Sequence, residues 1–309
     1  TEYNPEEWVL LAKKAGMRYV CFTAKHHDGF CMWDTAETDY NIMNTPYKKD
    51  IVGMLAEECH KRDFPLEIYY SCVDWHHPAY PNLGRHHEIK TDPAHHNMDE
   101  YMDYLKRQIR ELCTNYGKIG GIWFDGKWSK KDADWEEDAM YSMIRRYQPE
   151  AIIVNNTGLS ALGELGHIEL DSVTFERGKP KPLNLEGSPK YIASEMCEIF
   201  GTHWGYAEGD LLYKSPATII EELADCRRYG ANMLLNVGPM GNGYISEIDR
   251  AFYGMVGRWV GLFDEAIRKP RPSGIEVESA DGRDFLLRDG NYLYLFCFGL
   301  PTSADPNAA

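Results

Sequence analysis

The chain predicts an α/β fold, specifically a parallel (β/α)8 barrel of the TIM type. Two observations carry this. Short apolar runs alternate with segments of helical periodicity along most of the chain, an order that produces a parallel sheet covered by helices. Polar residues also follow directly on several of those runs, where a barrel gathers its site. A doubly wound open sheet is the structural rival, but no glycine has the spacing of its phosphate-cradling loop.

Pro5, Glu6 and Glu7 open a first helix that stops at Gly16. RYVCFTAK (18–25) and PLEIYYS (65–71) read as strands around a helix over 51–63. The clearest helix is 97–117, where Met98, Tyr101, Leu105, Ile109 and Leu112 recur three or four apart before Gly117. Strands follow at IGGIWF (119–124) and AIIVNN (151–156), with a helix over 134–147 between them. HIELDSV (167–173) and KYIASEM (190–196) are weaker strand patterns. A helix over 216–230, the strand ANMLLNV (231–237) and a helix over 245–266 close the series. That makes seven strands where a barrel takes eight, and a helix comes first, so the expectation is that the first strand is missing from this chain. Residues 1–269 are expected to form the barrel. Beyond RKPRPSG, alternating residues around DG and DGN turns predict antiparallel hairpins, so 270–309 reads as the start of a C-terminal β-sandwich or a β appendage.

The 309 residues carry 48 acidic and 33 basic side chains, a formal charge of -15 that disfavours nucleic acid and anionic lipid as partners. No apolar run approaches the length of a membrane span, and no targeting segment leads the chain. A periplasmic, secreted or lysosome-like compartment all stay open. The eight cysteines form no CxxC pair and read as mostly buried free thiols. Eight Trp and 20 Tyr supply rings whose faces can stack on sugars.

Four strand ends converge on one mouth in a barrel. They bring Lys25, His26, His27 and Asp28; Ser71, Asp74, Trp75 and His76; Trp123 and Asp125; and Asn155 and Asn156. Asp125, an acid between an apolar strand and Gly126, is the sharpest candidate for catalysis. His26 and His27 suit sugar hydroxyls. Four adjacent histidine pairs, at 26–27, 76–77, 86–87 and 95–96, suggest metal at first sight. Neighbours on a strand point oppositely, however, and HExxH and Cys/His quartets are absent, so neither metal nor cofactor is expected. The histidines at 86, 87, 95 and 96 read as surface residues. Trp33, Trp75 and Trp123 are the rings nearest the mouth. Glycoside hydrolysis needs a second carboxyl, and Glu164, Glu169, Asp171, Glu176, Glu195 and Glu198 all qualify on spacing.

Together these segments resemble the α-L-fucosidase family of glycoside hydrolases. The resemblance rests on residues 6–35, YYSCVDWHH (69–77), GGIWFDG (120–126), SEMCEIFGTHWGY (194–206) and ANMLLNVGPMGNGYI (231–245). It implies a barrel followed by a β-sandwich, and a retaining double displacement without metal or organic cofactor that releases fucose from a fucosylated glycan. By the same resemblance Asp125 matches the nucleophile, His26 and His27 a fucose-binding pair, and Trp123 a pocket wall. Glu176 in SVTFERG and Glu195 in SEMC each resemble an acid/base used in different members. The family's first strand with its His-Trp-Gly segment is absent, Asn155-Asn156-Thr157 replaces an Asn-Asp-Arg, and Ser194 replaces a tryptophan. A glycosidase for another α-linked sugar such as galactose, or an inactive sugar-binding barrel, are the alternative functions.

Overall fold

A computed structural model describes residues 1–83, 89–279 and 281–299. His86, His87 and the end of the 270–309 segment lie outside the described residues. Seven parallel strands pair in chain order: β1 (Val20–Lys25), β2 (Leu66–Ser71), β3 (Gly121–Asp125), β4 (Ile152–Asn155), β5 (Ser172–Thr174), β6 (Ala193–Ile199) and β7 (Asn232–Asn236). Sequential order excludes the doubly wound rival, whose strand order reverses at a switch point.

The sheet is curled. Cys21 of β1 and Leu234 of β7, from opposite ends of the strand order, pack in one cluster with Tyr69, Trp123, Val154 and Cys197. Side chains two apart on each strand therefore meet in layers inside the curl, as in a barrel. Among the described residues, β1 pairs only with β2 and β7 only with β6. The inner layer is thus open between β1 and β7.

The outer layer is closed across that opening. Helix α1 (Pro5–Lys14) starts from Asn4, whose side chain accepts from the Glu6 and Glu7 N–H groups, with Pro5 at the first position. Helix α6 (Glu247–Leu262) presses on its end: a Cβ at Gly257 would sit 2.2 Å from the Lys14 carbonyl oxygen. Only glycine allows that approach. Four further helices intervene, α2 (Ile51–Lys61), α3 (Met98–Thr114), α4 (Glu137–Tyr147) and α5 (Pro216–Arg228), while a short α7 (Asp264–Arg268) follows α6. The spacing read on α3 buries Tyr101, Leu105, Ile109 and Leu112 against the largest core cluster, between β1–β3 and their helices. No described helix is long and apolar enough to cross a membrane.

Two strands differ from their sequence patterns. β5 has three residues rather than the 167–173 run, and β6 extends three beyond the 190–196 run. Their inner faces carry Ser172, Thr174 and Glu195, so apolar runs do not mark their ends. The antiparallel hairpin β9 (Phe285–Asp289) and β10 (Tyr292–Phe296), with β8 (Arg271–Pro272) beside β9, packs Phe285 and Leu287 on Ala224 of α5.

Candidate active site

The loops after β1 and β2 are tied into one unit. Buried Lys25 pairs with buried Asp74 at 3.0 Å and lies 4.4 Å from the Tyr70 ring centroid. Asp74 also accepts from the His76 and His77 N–H groups, and Trp75 N–H donates to the His27 carbonyl. Gly29, at φ +82°, lets the first loop approach: a Cβ there would meet Asp74 Oδ1 at 2.3 Å. This arrangement fixes His27 at the mouth, its Nδ1 2.6 Å from Ser71 Oγ and its Nε2 3.7 Å from Asp125 Oδ2. His26 stacks on the Tyr69 ring with 5.8 Å between centroids.

Asp125 ends β3, on the mouth side of the curl. Its Oδ1 accepts from Gly126 N–H at 2.8 Å, Trp128 Nε1 at 2.8 Å and Asn156 Nδ2 at 3.1 Å; Oδ2 accepts from the Tyr69 hydroxyl at 2.6 Å. Four donors on a largely buried carboxylate fix its orientation and stabilise its charge. Asn156, just beyond β4, donates through the same Nδ2 to Glu176 Oε2 at 2.7 Å. Its own oxygen accepts from Thr174 Oγ1 at 2.8 Å, which sets the amide's orientation.

Glu176 follows β5 and is half-buried. Burial pushes its carboxyl above the ordinary value, and the Asp125 charge adds to this, while the Asn156 hydrogen bond acts in the opposite direction. Arg177 turns away, its backbone left-handed at φ +48° and its guanidinium 3.9 Å from Glu198. Asp125, oriented by its four donors, thus faces a carboxyl biased towards its protonated form.

Glu195 occupies a different place. Because β6 runs on to Ile199, Glu195 sits in its first half, at the floor of the curl, opposite Asn232 and Thr174. It accepts from Trp123 Nε1 at 2.9 Å, Asn232 Nδ2 at 2.7 Å and the Tyr19 hydroxyl. The expectation that it reaches the mouth is corrected: Trp123, whose position on β3 is one inward layer below Asp125, stands between them. Beside Glu195, Glu67 is pushed well above the carboxylate range by burial and by the Glu195 charge. Glu169 and Asp171 are held by Arg145, Asp171 also by Lys190 at 2.9 Å.

The tryptophans divide. Trp123 stacks on Tyr69 at 5.3 Å and lines the central cavity; half-buried Trp75 lies 5.8 Å from the His27 ring. Trp33 is a second correction. Its ring is fully buried in the outer core beside Tyr70, and its Nε1 donates to Glu111 at 3.1 Å. The loop after β1 folds back between the sheet and α3, so this ring never reaches the mouth. Trp33→Ala is expected to cost about 3–5 kcal/mol in denaturant unfolding, the range for large aromatic truncations, while the folded fraction keeps its KM.

Tyr69 and Trp128 complete the site without having stood out in the sequence. Trp128 lies three residues past Asp125, a signal available in WFDGKW. A cavity of about 540 Å³ runs from the mouth, where His26, Asp125, Asn156, Glu176 and Trp204 line it, into the apolar opening between β1 and β7. Among the described residues no cluster of three or more His, Cys, Asp or Glu could hold a metal ion.

The α-L-fucosidase family model matches residues 1–265. Rat tissue α-L-fucosidase is 30% identical over 285 residues, which cover 89% of this chain and 58% of that protein. The human tissue enzyme is 29% identical over 311 residues, covering 99% of this chain and 63% of its own length. The chain therefore spans about three-fifths of these curated relatives. Among solved structures, α-L-fucosidase isoenzyme 1 from Paenibacillus thiaminolyticus superposes with a TM-score of 0.82 at 32% identity, over 94% of this chain and 70% of that one. With the family model matching residues 1–265, most of its length, this chain belongs to the α-L-fucosidase family.

Proposed function

We propose that the protein is a retaining exo-α-L-fucosidase acting on fucosylated oligosaccharides or glycoconjugates, with Asp125 as nucleophile and Glu176 as acid/base. The observation that carries this reading is the shared amide of Asn156. Two carboxylate oxygens bonded to one nitrogen at 3.1 and 2.7 Å stand closer than the roughly 6.5–9.5 Å that an inverting pair needs to admit water. Lactobacillus casei AlfC, a structural relative at TM-score 0.70 and 28% identity, is known in complex with α-L-fucose, and a variant of it with Fuca(1,6)GlcNAc, which supports fucose as the sugar.

The steps follow from the placement. Asp125 attacks the anomeric carbon as the glycosidic bond breaks, and Glu176 gives its proton to the departing oxygen. Glu176, now ionised, takes a proton from water; that water attacks the anomeric carbon, releasing α-L-fucose and restoring Asp125. His26 and His27 are placed to bond fucose hydroxyls, with Trp123 as the wall of the sugar pocket.

Hydrolysis of 4-nitrophenyl α-L-fucoside, with the product anomer read at once by NMR, tests the proposal. First-formed α-L-fucose is expected; β-fucose would end the retaining reading. Preference for an α-galactoside would move the substrate to galactose, and binding without turnover would make this a sugar-binding barrel. The alkaline limb of kcat/KM should lie above the ordinary carboxyl range, because Glu176 must be protonated and its pKa is raised. In Asn156→Ala the limb should move further up, since a donor favouring the ionised form is lost, while kcat falls roughly tenfold or more. An unmoved limb would separate Asn156 from Glu176.

The same reading extends to the barrel. Two unpaired parallel edges, the apolar opening between them and the buried Glu67 Oε2 without a hydrogen-bond partner among the described residues support an eighth strand between β1 and β7. Residues 1–269 are then the barrel unit, and the described strands beyond it, β8–β10, form a β unit packed on α5.

A further inference from the structure

Trp128 bonds the nucleophile yet takes no part in the proposed displacement. It sits on a single 3-10 turn, Lys127–Lys130, that begins just after β3. The turn is anchored on both sides of the indole. Buried Lys127 pairs with Glu137 of α4 and donates to the Tyr141 hydroxyl, its Nζ 4.6 Å from that ring's centroid. On the other side, the Lys130 carbonyl accepts from Trp135 Nε1 at 3.1 Å. The indole is itself braced by two loops. Gly158, at φ +78°, lies so close that an added Cβ would meet Trp128 Cγ at 3.1 Å, and the His27 ring stands edge-on at 5.9 Å.

This scaffold aims one N–H at one oxygen. A carboxylate oxygen offers about two lone-pair sites. Asp125 Oδ1 accepts from three donors, Trp128 Nε1 at 2.8 Å among them. Oδ2 accepts from the Tyr69 hydroxyl, with His27 Nε2 farther off at 3.7 Å. Oδ1 is therefore saturated, and the lone pair free to attack is on Oδ2. Trp128 does not line the cavity that Asp125 and Glu176 share, so its indole acts on the reaction through the carboxylate. We propose that Trp128, supported by Lys127, is a positioning residue that anchors Oδ1, so that Asp125 attacks the anomeric carbon through Oδ2. As the bond from C1 to Oδ2 forms, the bond to the departing oxygen breaks and that oxygen takes the Glu176 proton. Oδ1 then becomes the ester carbonyl oxygen and keeps its donors. This rests on the fucosidase reading of the site.

The test uses 2-deoxy-2-fluoro-α-L-fucosyl fluoride, whose fucosyl ester hydrolyses slowly. A crystal structure of the wild-type chain trapped in this way is expected to show C1 on Oδ2, with Trp128 Nε1 still on Oδ1. C1 on Oδ1 would overturn the proposal. In Trp128→Phe, kcat/KM for 4-nitrophenyl α-L-fucoside and the rate of ester formation should both fall roughly tenfold, the effect of one hydrogen bond to a charged group, while inhibition by free fucose changes less than about twofold. Trp128→Leu should lose no more than the Phe variant, because the donor and not the ring is what acts. Intact mass should show complete labelling of each variant, only slower. Weaker inhibition by fucose would make Trp128 a sugar contact. Incomplete labelling, or a Phe variant near wild type beside a poor Leu variant, would make it a packing residue. Each of these overturns the anchor and leaves the fucosidase reading intact. Wild-type protein that is neither labelled nor able to hydrolyse the aryl fucoside would overturn both.

Discussion

Asp125→Ala is expected to lower kcat/KM for aryl α-L-fucosides by roughly 10³–10⁵-fold, the scale on which loss of a nucleophile is felt. The variant should also make β-L-fucosyl azide when azide is added. Removing the carboxylate opens the face from which it attacks, so a small anion there displaces the aglycone in one inverting step. The fold should persist, because Tyr69, Trp128 and Asn156, which now donate to Asp125, stand at a mouth that water can reach and rehydrate. Asp125→Asn separates charge from shape: it keeps an acceptor for Trp128 and the Gly126 N–H yet cannot form the fucosyl ester. Comparable inactivity in both variants with near-native melting would assign the loss to chemistry. Retention of more than about a tenth of wild-type kcat/KM in Asp125→Ala would remove Asp125 from the nucleophile role.

Asp125 was legible because an apolar strand ending in acid-glycine has few structural uses. The role of Asn156 was not. It stands at a strand end like Asn155, and only the pairing of β3, β4 and β5 shows that one of the two bridges Asp125 and Glu176. The alternation of runs revealed the parallel sheet, since each outer strand face must meet a helix. It concealed the ends of β5 and β6, since the inner face of a curled sheet around a polar site need not be apolar. Trp33 shows the same limit in reverse: proximity in sequence to a strand end says nothing of which side of the sheet a long loop returns to.

The choice between Glu176 and Glu195 turns on that misplaced strand end, and the two alanine variants should differ in kind. Glu176→Ala should lose roughly 10²–10⁴-fold on a fucosyl-disaccharide, whose leaving oxygen needs a proton, and far less on 4-nitrophenyl fucoside, whose leaving group does not. Without base-assisted water the fucosyl-enzyme accumulates, and azide should restore turnover by attacking it, giving α-L-fucosyl azide with configuration retained. Its stability should change little, since the Asn156 amide remains bonded to Asp125. Glu195→Ala should behave as a floor mutation. It strands the buried Trp123 indole and the part-buried Tyr19 hydroxyl, at about 1–3 kcal/mol for each that stays unsatisfied, while the exposed Asn232 amide keeps the Tyr19 hydroxyl as its acceptor. Relief of its repulsion with Glu67 offsets part of that cost without replacing the acceptors. A melting temperature lowered by several degrees should accompany losses that are similar on activated and unactivated substrates, through a shifted Trp123 wall, with no response to azide. Glu195→Gln, which keeps one acceptor oxygen, should recover much of the stability and activity, a recovery that an acid/base could not show. Substrate-selective loss with azide rescue in Glu195→Ala, beside uniform loss in Glu176→Ala, would transfer the proton-donating role to the floor of the barrel.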